Sequence, residues 1–483
     1  MPRLSRRSFL AASAALVARP AVGAVGRSAA EIDVAIVGAG AAGIAAARRV
    51  AAAGRKFVLL EAADHIGGRC ITETRTFGVA YDRGAHWIHA PDFNPVTKLT
   101  APRGIEIYPA PASEKVRIGR RYAREGELED FLALQVRANR AIADAARRGD
   151  IACAQALPND LGDWRSSIEF LFGPIASGKD LANVSAVDFA RSAERTGATD
   201  ALCRQGFGAF IASLAAGLPV RLSTPVLAID TRREVTVETP KGTIAARTAI
   251  VTVSTNVISS GAIKFTPDLG KRQLDAFANL SLGSYDHIAL EFSSNPFSFE
   301  SDDVVFEKST DARTAAIVAN VSGTPLCLID VAGPFGKDLS AQGEAAMVDF
   351  AADWLAGLYG ADVKKAIKRS HATRWNHDPW TLGAFSAAAP GWQGARRVVM
   401  EPVQDAIWFA GEAVHETLWG TVGGAWESGE RAADAVLRRL GPVKPPPAES
   451  AARFKHKPNR VRAERRAQRR FGAGPNILRE ETR

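Results

Sequence analysis

Apolar and polar positions follow two rhythms along this 483-residue chain. Ile32–Val37 is a short β-type run. Ala41–Ala53 is alanine-rich with an apolar face and is closed by Gly54; Lys56–Leu60 is a second β-type run, ended by Glu61. Together they read as a βαβ unit of about thirty residues. Residues 128–150 place apolar positions at helical spacing, and 184–216 hold more helix. From Val220 to Val253 the pattern changes to strands, punctuated by turns such as Pro240-Lys241-Gly242. Further strands are expected in 285–332, a long helix in 340–358, a strand at Ile407–Ala410 and a helix from about Gly423 to Leu440. So long a chain exceeds one ordinary core, and two domains are expected.

Composition adds limits. Hydrophobic residues at 46% and charged residues at 23% are the balance of a soluble globular protein. No apolar run reaches the roughly 20 residues that span a bilayer. The net charge of +9 belongs to the ends: residues 1–30 hold five Arg and no acid, and 441–483 carry a net +8. The remaining body is mildly acidic, which argues against nucleic acid as a partner. "SRRSFL" (Ser5–Leu10), with Arg6-Arg7 ahead of a short apolar stretch and small residues, looks like a twin-arginine signal over 1–30, so folded export to the periplasm is expected. After Pro445–Pro447, the basic end of 441–483 reads as a solvated, disordered tail, with an anionic-surface contact as the alternative. Cys70, Cys153, Cys203 and Cys327 are scattered without metal-ligand spacing, so buried thiols and no metal are expected.

The richest chemistry lies in "GAGAAG", Gly38 to Gly43, between the first strand and the helix. In that context the motif is a dinucleotide cradle. Gly38 permits a tight turn, Gly40 lets backbone approach a pyrophosphate, and Gly43 lets the helix pack closely on the sheet. The helix start at Ala41-Ala42 offers unpaired N–H groups to phosphate. Glu61, followed by Ala62, can take both ribose hydroxyls of an adenosine, which disfavours NADP and leaves NAD and FAD. "HIGGRCITET" (His65–Thr74) then adds Gly67 and Gly68 for close approach and Arg69 to neutralise more phosphate. An ordinary nicotinamide dehydrogenase has no such second site there.

With this segment the chain resembles the flavin-containing amine oxidases: monoamine, polyamine and histone-demethylase oxidases. Three further blocks agree in family order. They are Tyr81–Leu99 around "GAHWIHA", which is close to the polyamine oxidases, Arg374–Ser386 ("RWNHDPWTLGAFS"), and Ile407–Leu437 with "GEAVHETLWGTVGG". The resemblance implies an α/β fold. A Rossmann-like FAD-binding domain would be built from 31–90, 203–285 and 396–440, beside an α+β substrate domain from 91–202 and 286–395. It implies that Gly84, Ala85, His86, Trp87 and Val226 line the FAD. Gly411 and Glu412 would approach its ribityl–phosphate part, and Thr421-Val422 would open a helix facing the ring. The implied reaction removes a hydride equivalent from the carbon beside an amine nitrogen, giving an imine that hydrolyses to an aldehyde. Polyamines are the leading substrate class, and O2 or a periplasmic acceptor takes the electrons.

Several residues depart from the family pattern. Phe385 matches one wall of the aromatic cage, but the opposite wall, a tyrosine in many relatives, is Thr421 here; Trp419 is the candidate to compensate. His287, in "LSLGSYDHIALEF" (Leu280–Phe292), replaces the usual lysine that is linked through water to the flavin. It reads either as a protonated substitute or as a packing residue. His89 matches a substrate-side residue that would take a proton from the ammonium or order water, and Ala90 follows where relatives have Gly. Ala384 stands where some relatives bind the flavin through cysteine, so non-covalent FAD is expected. The rivals are an L-amino acid oxidase, for which "GAHWIH" lacks an arginine, a flavin desaturase, and a flavin-binding protein without turnover.

Overall fold

The computed structural model describes residues 32–111, 114–193 and 199–443. Ile32–Val37 lies inside an eight-stranded sheet, parallel to Phe57–Leu60 on one side and to Gly242–Val251 on the other. Gly242–Val251 also pairs in parallel with Ile407–Phe409, and an antiparallel run through Val235–Thr239 and Ala228–Asp230 extends that edge. The central strands are apolar where both faces are covered, at Val34–Val37, Val58–Leu60 and Ala249–Val251. Val34, Ile36, Leu59 and Ile250 face the helices Ala41–Ala52 and Val422–Leu440; Ala35, Val37, Val58 and Leu60 face a second core. Small alanines at 42, 46, 47, 432 and 433 fill the helix-covered side.

A second sheet of seven strands runs in the order Ile367–Ala372, Tyr285–Phe292, Leu326–Ala332, Ala316–Ala319, Asp303–Glu307, Glu114–Ile118, Arg121–Tyr122. All its pairings are antiparallel except that of Asp303–Glu307 with Glu114–Ile118. Side chains alternate across it. Ile288, Leu290 and Phe292 pack on the helix Glu344–Tyr359, whereas Ala289 on the opposite face meets Phe77, Tyr81 and Trp87. The loop holding "GAHWIHA" thus lies against this sheet.

Three segments gain detail over the sequence pattern. The helix expected over 128–150 spans Glu125–Arg148, because Glu127 accepts the Arg124 N–H (2.8 Å) and caps an earlier start. The 184–216 segment breaks into helices Ala186–Ala193 and Phe207–Ser213 around a strand, Ala201–Cys203. The long helix expected in 340–358 is Glu344–Tyr359; it starts after Gly343, which separates it from a preceding helix, Gly333–Ala341. All four cysteines are free and buried. The expected export signal, and the tail beyond Val443, lie outside the described residues.

Candidate active site

The cradle is built by backbone. Gly38 turns at φ +101° and donates its N–H to Leu60 O (2.7 Å). A Cβ on Gly43 would lie 1.8 Å from Gly38 O, so the helix starts this close to the strand only without a side chain there. Gly40 and Gly67 form a parallel bridge that joins the two glycine motifs. Gly40 provides no side-chain cap and no acid occupies the first turn, so the N–H groups at Ala41 and Ala42 remain available to an anion. Glu61, 7% exposed, accepts the N–H groups of Ala39 (2.6 Å) and Ala63 (2.8 Å). Burial raises its pKa, and those bonds pull it back only in part. Gly68 faces Gly40 across the same gap, Ala62 lies between Glu61 and Ala63, and Val226 packs in the core with Leu60. An uncapped helix start, a side-chain-free turn and a buried acid fit the phosphates and ribose of a dinucleotide.

The second motif converges on Glu412. Arg69, expected at phosphate, has Glu412 Oε1 as its charged partner (3.0 Å) and donates also to Ala384 O (2.6 Å). Glu412 further accepts Ser386 Oγ–H (2.8 Å) and Gly420 N–H (2.9 Å). A small crevice is lined by Arg69, Val253, Gly411 and Glu412. Behind it Arg396 pairs with Asp188 through two bonds (2.8 and 2.7 Å), with side chains 1% and 0% exposed. Arg396 also reaches Ser386 Oγ (3.1 Å) and Ala413 O (2.9 Å). Trp419 stacks under Arg396 (4.9 Å) and gives its indole N–H to Asp188 O (3.1 Å). Its ring is occupied by this network, so the packing role replaces the compensating wall. Thr421 caps the last helix: its hydroxyl accepts Gly424 N–H (3.0 Å) and donates to Leu418 O (2.7 Å), just ahead of Val422.

A third group gathers around Phe385. Tyr285 lies 5.9 Å from the Phe385 ring and 5.5 Å from that of His287. Tyr285 O–H donates to Asp330 Oδ2 (2.7 Å), while Asp330 Oδ1 is 2.5 Å from His287 Nδ1. His287 Nε2 is 3.0 Å from Gly84 O. Burial alone would lower the His287 pKa, but Asp330's charge and hydrogen bond outweigh it and raise it above the ordinary value. His86, 5.2 Å away, has an unpartnered Nε2; burial, then the charge of His287, push it down to about 3, so it is neutral. Its ring contacts Trp87 (4.8 Å), and Ala85 N–H donates to Arg69 O (3.1 Å). His89 Nδ1 lies 2.9 Å from Asp200 Oδ2, both partly exposed. Ala90 adopts φ +49°, the region that favours glycine.

Comparison with known proteins decides the family. A model described as flavin-containing amine oxidoreductase matches residues 41–437. The chain belongs to the flavin-containing amine oxidoreductase family. Lysine-specific histone demethylase 2 of Homo sapiens is 28% identical over 84% of the chain, which spans 53% of that relative. The chain thus spans about half the length of that histone demethylase. Polyamine oxidase 3 of Oryza sativa subsp. japonica is 26% identical over 84% of the chain and 89% of its own length. Among solved structures, a cyclohexylamine oxidase from Brevibacterium oxydans IH-35A superposes with a TM-score of 0.71 at 20% identity, over 85% of this chain and 99% of the other. A redesigned putrescine oxidase gives the same TM-score over 84% and 98%.

In this amine oxidoreductase the fold brings Phe385, His287, His86, Trp87 and Gly84 into one neighbourhood, and Arg69, Glu412 and Trp419 into another. Five polar residues were missed in sequence: Tyr285, Asp330, Asp200, Asp188 and Arg396. Only Tyr285 carried a signal, since it stands two residues before His287 on one strand and so shares its face. The other four act across long sequence separations.

Proposed function

We propose that the protein binds FAD non-covalently and oxidises a primary or secondary amine of the polyamine type, in the periplasm. The observation that carries this reading is the meeting of Phe385, Tyr285 and His287 beside the loop of Trp87 and His89. It supports an apolar, aromatic place for an amine next to the flavin block. FAD supplies the two-electron acceptor. The amine loses two electrons and two protons to become an imine, and water hydrolyses the imine to an aldehyde and the released amine. O2, as final acceptor, takes two electrons and two protons and leaves as H2O2. Asp200 holds a hydrogen on His89 Nδ1, which leaves Nε2 to receive the proton of the ammonium. Phe385 and Tyr285 exclude water and attract the substrate cation. Gly38–Gly43, Glu61, Arg69 and Glu412 would hold the cofactor. Ala384 has no thiol, which supports non-covalent binding. A second reading, an acceptor other than O2, is favoured by Asp330, which cancels the positive charge on His287.

The test is anaerobic. Purified holoprotein is mixed with polyamines, monoamines and amino acids while the flavin absorbance is followed, and air is then admitted. Bleaching by polyamines supports the reading, and recovery in air with H2O2 identifies the acceptor. Flavin that no amine bleaches would sink it.

A further inference from the structure

Asp286 and His287 stand side by side on the strand Tyr285–Phe292, and both act on one loop. His287 Nε2 meets Gly84 O at 3.0 Å, and a carbonyl only accepts, so Nε2 carries a hydrogen. Nδ1 faces the Asp330 carboxylate at 2.5 Å, so a proton lies between them as well. Asp330 is the residue directly across the antiparallel ladder, with its second oxygen taken by Tyr285 O–H. Both side chains are nearly sealed, at 4% and 2% exposure. Asp286 works on the neighbouring carbonyl: it accepts Trp375 N–H (2.8 Å), and Trp375 Nε1–H donates to Arg83 O (3.1 Å). Two consecutive carbonyls, of Arg83 and Gly84, are therefore held from one strand. Gly84 has no slack: a Cβ there would lie 2.1 Å from Arg69 O. Downstream along this loop come Trp87 and His89. The other groups facing His287 are the neutral His86 and the buried Asp82, whose carboxyl burial raises and His287 partly lowers.

We propose that His287 is a positioning residue: with Asp330 it forms an imidazolium–carboxylate pair of no net charge whose Nε2–H clamps the Gly84 carbonyl and fixes the loop bearing Trp87 and His89. This settles its two sequence readings differently from either. His287 is charged, but both of its protons are engaged and its charge is cancelled. The inference rests on the proposed function only for what the loop serves.

Two measurements test it. In two-bond ¹H–¹⁵N spectra of ¹⁵N-histidine-labelled holoprotein near neutral pH, the ring lost in His287→Gln should show both nitrogens protonated; a neutral ring overturns the proposal. Second, His287→Gln leaves the Asp330 carboxylate buried without its cation, and Asp330→Asn removes the acceptor that keeps the buried His287 ring charged. Each should lower Tm by about 3–5 °C. The double variant His287→Gln/Asp330→Asn restores neutrality and hydrogen bonding, and should recover most of that loss. A double variant no better than the singles overturns the pairing. With an amine that is turned over, the single variants should raise KM more than they lower kcat. Spectra and melting need no turnover, so failure of the clamp and failure of the amine reading are separable.

Discussion

Arg396–Asp188 and His287–Asp330 are both buried ion pairs, yet they are built on different plans. Arg396 makes four hydrogen bonds, to Asp188, Ser386 and Ala413, and lies on the Trp419 ring. The His287 ring makes two hydrogen bonds, to Asp330 and Gly84. A guanidinium cannot shed its proton in a protein, so a buried one must be satisfied on every side. An imidazole can, so its charge is set by what surrounds it. The first pair therefore serves as a fixed spine behind Glu412 and Phe385. The second is a conditional tie between a sheet and a loop.

Breaking the spine should have the largest effect. Arg396→Met strips the counterion from a fully buried Asp188 and should destabilise the holoprotein by about 3–5 kcal/mol in denaturant unfolding. Arg396→Lys keeps the charge but not the two-pronged contact, and should recover only part. A loss below about 1 kcal/mol for Arg396→Met would show that the pair is not the spine described.

That spine was invisible in the sequence, and the reason is physical. Asp188 and Arg396 are 208 positions apart, in helices whose local patterns give no sign of a shared partner. The βαβ unit was legible because its signals are local: alternation, glycines where backbone must approach, and an acid at a strand end. The same holds for Glu412, found through its motif, though its partners Ser386 and Gly420 were not. His287 was found as a departure from a family pattern, but Asp330 opposite it depends on strand register, which no local pattern supplies.

Breaking the tie at its backbone end comes next. Gly84→Ala places a methyl 2.1 Å from Arg69 O without altering His287. The loop must shift, at roughly 1–3 kcal/mol. Thermal melting of the holoprotein should fall accordingly, with weaker amine binding; an unchanged melt would mean the loop has slack that the structure denies.

The pH dependence separates the pairs further. His287 is raised above its unfolded value, so its contribution is complete below that value and fades as pH climbs through the folded one. Burial would raise Asp330, but the charge and hydrogen bond of His287 hold it low; its contribution is present above the unfolded value and fades as pH falls through the folded one. A tenfold difference in proton affinity between the folded and unfolded chain is worth about 1.4 kcal/mol. The stability gap between wild type and His287→Gln/Asp330→Asn should therefore narrow on both the alkaline and acid sides. The gap between wild type and Arg396→Met/Asp188→Asn should stay flat on the alkaline side. A narrowing there for the arginine pair would erase the contrast.

The smallest effect is expected at Thr421, beside the spine, where the side chain is not aromatic. Its hydroxyl caps the helix Val422–Leu440, so Thr421→Ala should destabilise by about 1 kcal/mol and Thr421→Ser by much less. Thr421→Tyr removes the same cap while supplying an aromatic ring at that position. It should show a similar loss of stability together with a lower KM for the amine, through cation–π attraction. Stability loss without the gain in KM would mean that Tyr285, 5.9 Å from Phe385, already completes the cage from the sheet side. The aromatic enclosure would then belong to the conditional half of the molecule, with Tyr285 holding Asp330 by its hydroxyl and the substrate by its ring.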